Sequence, residues 1–239
     1  PTETAFRYRR NVQPAVVLPF DGVSTRYTIG SKDTNGYLFL VGYHDKTIYM
    51  EYQHSISDGR GFEEFIRCVL FQYLKNCGFP VEDDGSVRGM DTRWSPEESA
   101  NGYEQLADRE FSPDGIWKKP EAVHAPEVQW GADGSEVVTE VTFPFSQLHD
   151  YAKSIGVSPL SVLAPLMMKA FDDKFGGTDK PVIAEIPVDL RPLLPTLTTR
   201  YFICFIDLPY FPEYRDLPND EVFRRTKAFL KDQMQRRPL

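Results

Sequence analysis

Between Lys46 and Gly78 the hydrophobic pattern changes its period, and this change constrains the fold more than any other feature of the chain. Lys46-Thr47-Ile48-Tyr49-Met50-Glu51-Tyr52 alternates and is rich in β-branched and aromatic residues, which predicts a strand. Phe62, Phe65, Ile66, Val69, Tyr73 and Cys77 then recur at helical spacing, and Gly78 stands where a helix cap belongs. Gln53-His54-Ser55-Ile56-Ser57-Asp58-Gly59-Arg60-Gly61 joins the two. His54 is therefore expected at a strand end and Asp58 on the turn that feeds a helix. Gly59 and Gly61 are expected to let the backbone turn sharply there. The helix is expected from about Gly61 to Cys77, with Glu63 and Glu64 in its first turn, where they complement the macrodipole.

The flanking segments extend this pattern. Ala15–Leu18 reads as a short strand and Asp33-Thr34-Asn35-Gly36 as a turn. Tyr37–Tyr43 is a strand with almost no polar face, which predicts burial on both sides. His44-Asp45-Lys46 then closes a hairpin. From Phe79 to about Asp133, acidic residues, Gly, Pro and Ser dominate without lasting periodicity, so the stretch reads as a connection. Within it, Ser95 caps a short helix that has Pro96 at its first position.

Order returns with a strand at Glu136–Phe143 and a helix at Ser146–Lys153, ended by Gly156. Ser158-Pro159 caps the next helix, which runs to about Phe175. A strand at Val182–Val188, a Pro- and Thr-rich segment Arg191–Thr199, a strand at Tyr201–Leu208 and a helix from about Asp220 to Arg236 follow. This order predicts an α/β fold, with a mixed β-sheet flanked by helices.

Composition narrows the function classes. The apolar fraction of 41% and charged fraction of 26% over 239 residues are those of a globular protein with a substantial core. A net charge of −8 argues against non-specific binding to nucleic acid or anionic membrane. No apolar run approaches the roughly 20 residues that span a bilayer. The longest candidate, Ser161–Met168, is short and carries Pro165. Cys68, Cys77 and Cys204 are odd in number, and two lie on one predicted helix. They read as buried free thiols of a reducing cytoplasm.

His54-x-x-x-Asp58-Gly59 between strand and helix resembles the motif of the chloramphenicol acetyltransferase-like superfamily. Its members include plant acyltransferases, nonribosomal peptide condensation domains and microbial alcohol acetyltransferases, and the last look closest. The hairpin before the motif and the amphipathic helix after it belong to the same pattern. So does the later segment Ile186-Pro187-Val188-Asp189-Leu190-Arg191-Pro192-Leu193-Leu194-Pro195. Two positions depart from it. Gln53 stands where many members have a second His, and Arg200-Tyr201-Phe202 stands where an Asn is common.

The resemblance covers nearly all of this chain but only the middle of a family member. It implies a fragment of a pseudo-dimeric, two-half, coenzyme A-dependent acyltransferase fold. Residues 1–78 would be part of the N-terminal half, 79–134 the connection and 135–239 the start of the C-terminal half. A fragment of this kind is expected to self-associate.

The resemblance further implies transfer of an acyl group from a coenzyme A thioester to an alcohol or amine. His54 would be the general base and acyl-CoA a co-substrate, with no metal. An imidazole with its ordinary pKa of about 6.5 can accept a hydroxyl or thiol proton near neutrality. A lone strand-end His is more often satisfied by backbone; Asp58, Gly59 and the Arg191 segment turn the reading towards catalysis. Asp58 has three readings: orienting His54, capping a helix, or bracing the loop by an ion pair with Arg191, as the family suggests.

Ser55, Ser57, Thr196, Thr198 and Thr199 read as turn and loop residues, and no Gly-x-Ser-x-Gly elbow is present. His44, His124 and His149 are scattered, without metal-ligand spacing. Gly59-x-Gly61 lacks the third glycine of a dinucleotide fingerprint. Two alternatives stay open: a condensation-type domain acting on carrier-protein-bound acyl groups, and a non-catalytic binding or structural relic of the fold. The expected partners are a small acceptor and acyl-CoA, with neither nucleic acid nor membrane.

Overall fold

The computed structural model describes residues 11–20, 27–93, 95–107, 117–125 and 141–236. The described elements are mixed α/β, with small sheets flanked by helices. The chain divides into two compact units. The first comprises Pro1–Gln105 and Arg191–Ile203, the second Leu106–Leu190 and Cys204–Leu239.

The first unit is built on strands β1 (Val17–Pro19), β2 (Phe39–His44) and β3 (Thr47–Tyr52). β1 runs parallel to β2, while β2 and β3 form an antiparallel hairpin, registered from Phe39 opposite Tyr52 to His44 opposite Thr47. The hairpin turns on Asp45 at φ 49°, a left-handed conformation that Asp tolerates. The predicted turn at residues 33–36 is present, with Asn35 at φ 52° and Gly36 at φ 78°. The expected burial on both faces of β2 does not hold: the face carrying Leu40 and Gly42 is buried, and the face carrying Phe39 and Val41 is half-buried. Tyr43, at the hairpin tip, is exposed because the sheet there has left the core.

Helix α1 (Gly59–Asn76) packs on this sheet through aromatic rings. Phe65 lies 5.0 Å from Phe39, and Phe62 stacks on Tyr52 at 3.8 Å. It begins two residues earlier than its apolar spacing predicts, because Asp58 caps it. Glu63 and Glu64 consequently miss the first turn. Glu63 pairs instead with Arg60 and Arg67 along the helix. At the other end Gly78, at φ 81°, donates to the Lys75 carbonyl, and Phe79 donates to that of Leu74. This is a Schellman closure of the last turn.

The second unit contains α2 (Phe145–Ser154), α3 (Pro159–Phe175), β4 (Val182–Asp189), β5 (Ile203–Tyr210) and α4 (Asn219–Arg236). β4 pairs with β5, α3 packs on β4 and α4, and α2 packs on α3. Its core joins Ala164 and Met168 of α3 to Val182, Leu208, Tyr210, Tyr214 and Val222. α2 ends as Gly156 predicts, at φ 75°, and Ser158 caps α3 ahead of Pro159. Of the strand expected at Glu136–Phe143, residues 136–140 lie outside the described residues, and 141–143 are not in a strand.

No single described helix is long and apolar enough to cross a membrane. None of the three cysteines is in a disulfide, and the expectation that they are buried does not hold. Cys77 is exposed because it sits beyond the last turn of α1, and Cys68 and Cys204 are half-buried.

Candidate active site

The loop after β3 is tied at both ends. Gln53 donates to the Leu38 carbonyl at 2.9 Å, extending the sheet one residue past Tyr52, and Ile56 turns back onto the Gln53 carbonyl at 3.1 Å. Asp58, in an extended conformation at φ −86° and ψ 176°, accepts from the Gly61 amide at 2.8 Å and so caps α1. This is ordinary N-capping chemistry. The rest of its environment is not ordinary.

Asp58 is 1% exposed, and its second carboxylate oxygen takes two more donors. Arg191 Nη1 donates at 3.0 Å and the Phe202 backbone amide at 2.7 Å. Two segments of the first unit therefore meet on one carboxylate, the start of α1 and the stretch from Arg191 to Phe202. Arg191 spends its other nitrogens on the same segment that carries it. Nε donates to the Thr198 carbonyl at 2.9 Å and Nη2 to that of Arg200 at 2.6 Å. The fork thus curls Arg191–Ile203 into a strap and fastens the strap to Asp58. A carboxylate accepting several charge-assisted or backbone donors is a strong local fixture.

The strap also presses on the loop directly. Ser57 Oγ donates to the Thr199 carbonyl at 2.5 Å. A Cβ built on Gly61 would lie 2.0 Å from that same oxygen, so only glycine fits. Gly61 is needed for this close approach and not for a turn, since neither it nor Gly59 has positive φ. Around Gly59 there is open space.

From behind, the strap is held by residues 95–103, which sequence reasoning passed over as connection. Ser95-Pro96-Glu97-Glu98 forms a 3-10 turn with a reciprocal capping box. The Glu98 carbonyl accepts from the Thr199 amide at 2.8 Å, and Thr198 Oγ1 donates to the Ala100 carbonyl at 2.7 Å. Arg88 holds the Glu98 carboxyl below its usual range, against an opposing push from burial. Tyr103 Oη accepts from the Ile203 amide and donates to the Ile203 carbonyl. A Cβ on Gly102 would meet the Phe202 ring at 2.7 Å, so this glycine lets the fully buried ring seat. The sequence signal for this clasp was the Ser-Pro-Glu-Glu cap alone.

His54 sits on the loop so fixed, and it is exposed. Its ring lies 5.8 Å from that of Tyr52 and 5.6 Å from that of Tyr201. Asp58 makes no hydrogen bond to it: the carboxylate's partners are Gly61, Arg191 and Phe202. Of the sequence candidates, the structure brings His54, Asp58, Gly59, Ser57 and Arg191 into the first unit's loop and strap. His44 lies at the exposed hairpin end, while His124 and His149 belong to the second unit. Clefts of about 410 and 500 Å³ in the first unit share Val69 and Tyr73, and neither is lined by residues 53–61. No group of three or more potential metal ligands occurs among the described residues.

The loop can therefore present one solvent-accessible imidazole on a rigid base. Tyr52 beneath it has its phenol pushed above the usual range, first by burial and then by the charge of Asp58. That phenol stays neutral near physiological pH.

Comparison with known proteins adds a structural likeness. No family model matches the chain, and no curated protein matches it. Among solved structures, the SgcC5 protein from Streptomyces globisporus, in complex with (R)-(-)-1-(2-naphthyl)-1,2-ethanediol and sucrose, matches at 15% identity with a TM-score of 0.47. The match covers 85% of this chain and 48% of that structure, so the chain spans about half its length.

Proposed function

We propose that this chain is part of an acyltransferase of the coenzyme A-dependent, two-half type, in which His54 is the general base. The observation that carries the reading is the commitment of Asp58 to Gly61, Arg191 and Phe202, which leaves His54 exposed on a braced loop. A triad would spend the Asp on the imidazole; here the Asp spends itself on the loop. That is the division of labour the family resemblance implies.

In the proposed reaction an imidazole nitrogen takes the proton of an alcohol or amine as the acceptor attacks the thioester carbonyl carbon. The C–S bond then breaks, and the departing thiolate receives the proton. The products are an ester or amide and free coenzyme A. No covalent enzyme intermediate is required, in keeping with the absence of a serine elbow from the sequence.

The test is thioester consumption by the full-length protein over a panel of alcohols and amines. His54→Ala should lower turnover about 10²–10⁴-fold with little change in thioester affinity. His44→Ala, His124→Ala and His149→Ala serve as controls. Near wild-type turnover in His54→Ala on a confirmed acyl substrate would sink the proposal.

A further inference from the structure

Two tyrosine rings bracket His54, and the chemistry above uses neither. Tyr52 ends β3 two residues before His54, its ring plane inclined 33° to the imidazole. Tyr201 reaches the imidazole from the strap, nearly edge-on at 69°. The His54 ring nitrogens take no hydrogen-bond partner among the described residues. Rotation of a histidine ring about χ2 is intrinsically broad and roughly two-fold. No hydrogen bond from a described residue fixes its orientation, and the two tyrosine rings are the contacts the structure gives it.

Each bracketing ring is itself anchored. Tyr52 stacks on buried Phe62 with planes 17° apart, and Phe62 packs on Phe65 at 5.3 Å. Tyr201 is fixed through its backbone neighbours. On one side the Arg200 carbonyl accepts from Arg191 at 2.6 Å. On the other the Phe202 amide donates to Asp58 at 2.7 Å. Both partners of the ion pair thus grip the chain on either side of Tyr201.

We propose that Tyr201 is a positioning residue, whose ring carries the rigidity of the Asp58–Arg191 pair to the imidazole of His54. The effect travels by ring contact, since no hydrogen bond joins Asp58 to His54. Tyr52 supplies a second ring contact. It is the ring of Tyr201, not its hydroxyl, that acts. The inference rests on the reading of His54 as the base, and its test separates the two.

The full-length protein is compared with Tyr201→Phe, Tyr201→Leu and Tyr52→Leu. Two quantities are read: turnover, and the NMR positions of the His54 ring protons, assigned by their loss in His54→Ala. Flanking aromatic rings displace those protons from free-imidazole positions. Tyr201→Phe should keep both the displacement and turnover. Tyr201→Leu should move the protons towards the free positions and lower turnover roughly 3–10-fold, with KM little changed. Tyr52→Leu should move them as well, and serves if Tyr201→Leu does not fold.

Unmoved protons in both leucine variants would overturn the inference, as would Tyr201→Phe losing as much turnover as Tyr201→Leu. Moved protons together with full turnover in His54→Ala would leave the positioning in place and remove the catalytic reading instead.

Discussion

Each unit contains a buried aspartate paired with an arginine, with a tightly approached glycine nearby, and the two arrangements do different things. In the second unit, Asp172 of α3 takes a two-point fork from Arg215, Nε at 2.8 Å and Nη2 at 2.9 Å. In the first, Asp58 takes a single arginine nitrogen and fills its remaining capacity with two backbone amides. Arg215 keeps 31% of its side chain exposed, while Arg191 keeps 13%. The fork of Asp172 fastens a helix to a neighbouring turn, with Arg215 Nη2 also donating to the Thr178 carbonyl at 2.9 Å. Asp58 instead organises backbone amides from two segments, and no apolar residue could accept from those amides. The difference marks the first unit's carboxylate as a device for holding a loop.

The comparison breaks first at the charge. Asp58→Asn keeps the shape but leaves Arg191 without its counter-charge and turns an amide NH2 towards a backbone donor. A loss of about 3–5 kcal/mol in denaturant unfolding is expected, as for other broken buried pairs. Turnover should fall with it, because the loop under His54 is released. Asp172→Asn should cost less stability, since Arg215 can reach water, and turnover should survive in the folded fraction. Equal losses in the two variants would contradict the distinction. Unchanged stability in Asp58→Asn with turnover alone reduced would revive the triad.

The glycines give a smaller and sharper test. At Gly61 the obstacle to a Cβ is the Thr199 carbonyl, 2.0 Å away, and the strap that carries it is held from several directions. At Gly176 the obstacle is the Asp172 carboxylate oxygen, also at 2.0 Å. Gly61→Ala should cost about 1–3 kcal/mol, as overpacking does. Gly59→Ala, with open space around it, should gain about 0.5–1 kcal/mol from helix propensity. Thermal melts of the pair decide the matter: if Gly61→Ala is as stable as Gly59→Ala, the strap does not press on the loop as described.

What the sequence made legible follows from the range of the interactions. Strand β3, helix α1 and the glycine caps at Gly78 and Gly156 are set by neighbours within a few residues, and periodicity and turn chemistry read them. The start of α1 was misjudged by two residues because Asp58 had competing readings, and only its contacts show that it caps. The strap could not be read from spacing. Ser57 meets Thr199 and Asp58 meets Phe202 across 142 and 144 residues. Arg191 was named through a family pattern and not through any local signal. The roles of Tyr103 and Phe202 are not legible, because neither an irregular stretch nor an apolar strand shows which distant residue its aromatic rings pack on.

The smallest effect separates the two carboxylates by pH. Arg215, by donating to Asp172, holds its carboxyl below the usual range, and burial only partly opposes this. In the unfolded chain that carboxyl titrates near its ordinary value of about 3.9. With the folded pKa the lower of the two, the unfolded state binds the proton first as pH falls. The stability from the pair is thus complete above the unfolded value and drains away as pH drops through the folded one. Arginine stays protonated throughout, so nothing comparable is lost on the alkaline side. Unfolding free energy measured from about pH 7 down to about pH 2 should show this acid slope. Arg215→Gln should flatten it, because Asp172 then has no reason to resist protonation. Glu98, held down by Arg88 in the first unit, contributes a slope of the same sign, and it should persist in Arg215→Gln. If the acid slope of Arg215→Gln matches that of the wild type, Asp172 does not draw its stability from the fork, and the second unit's pair is no fastener.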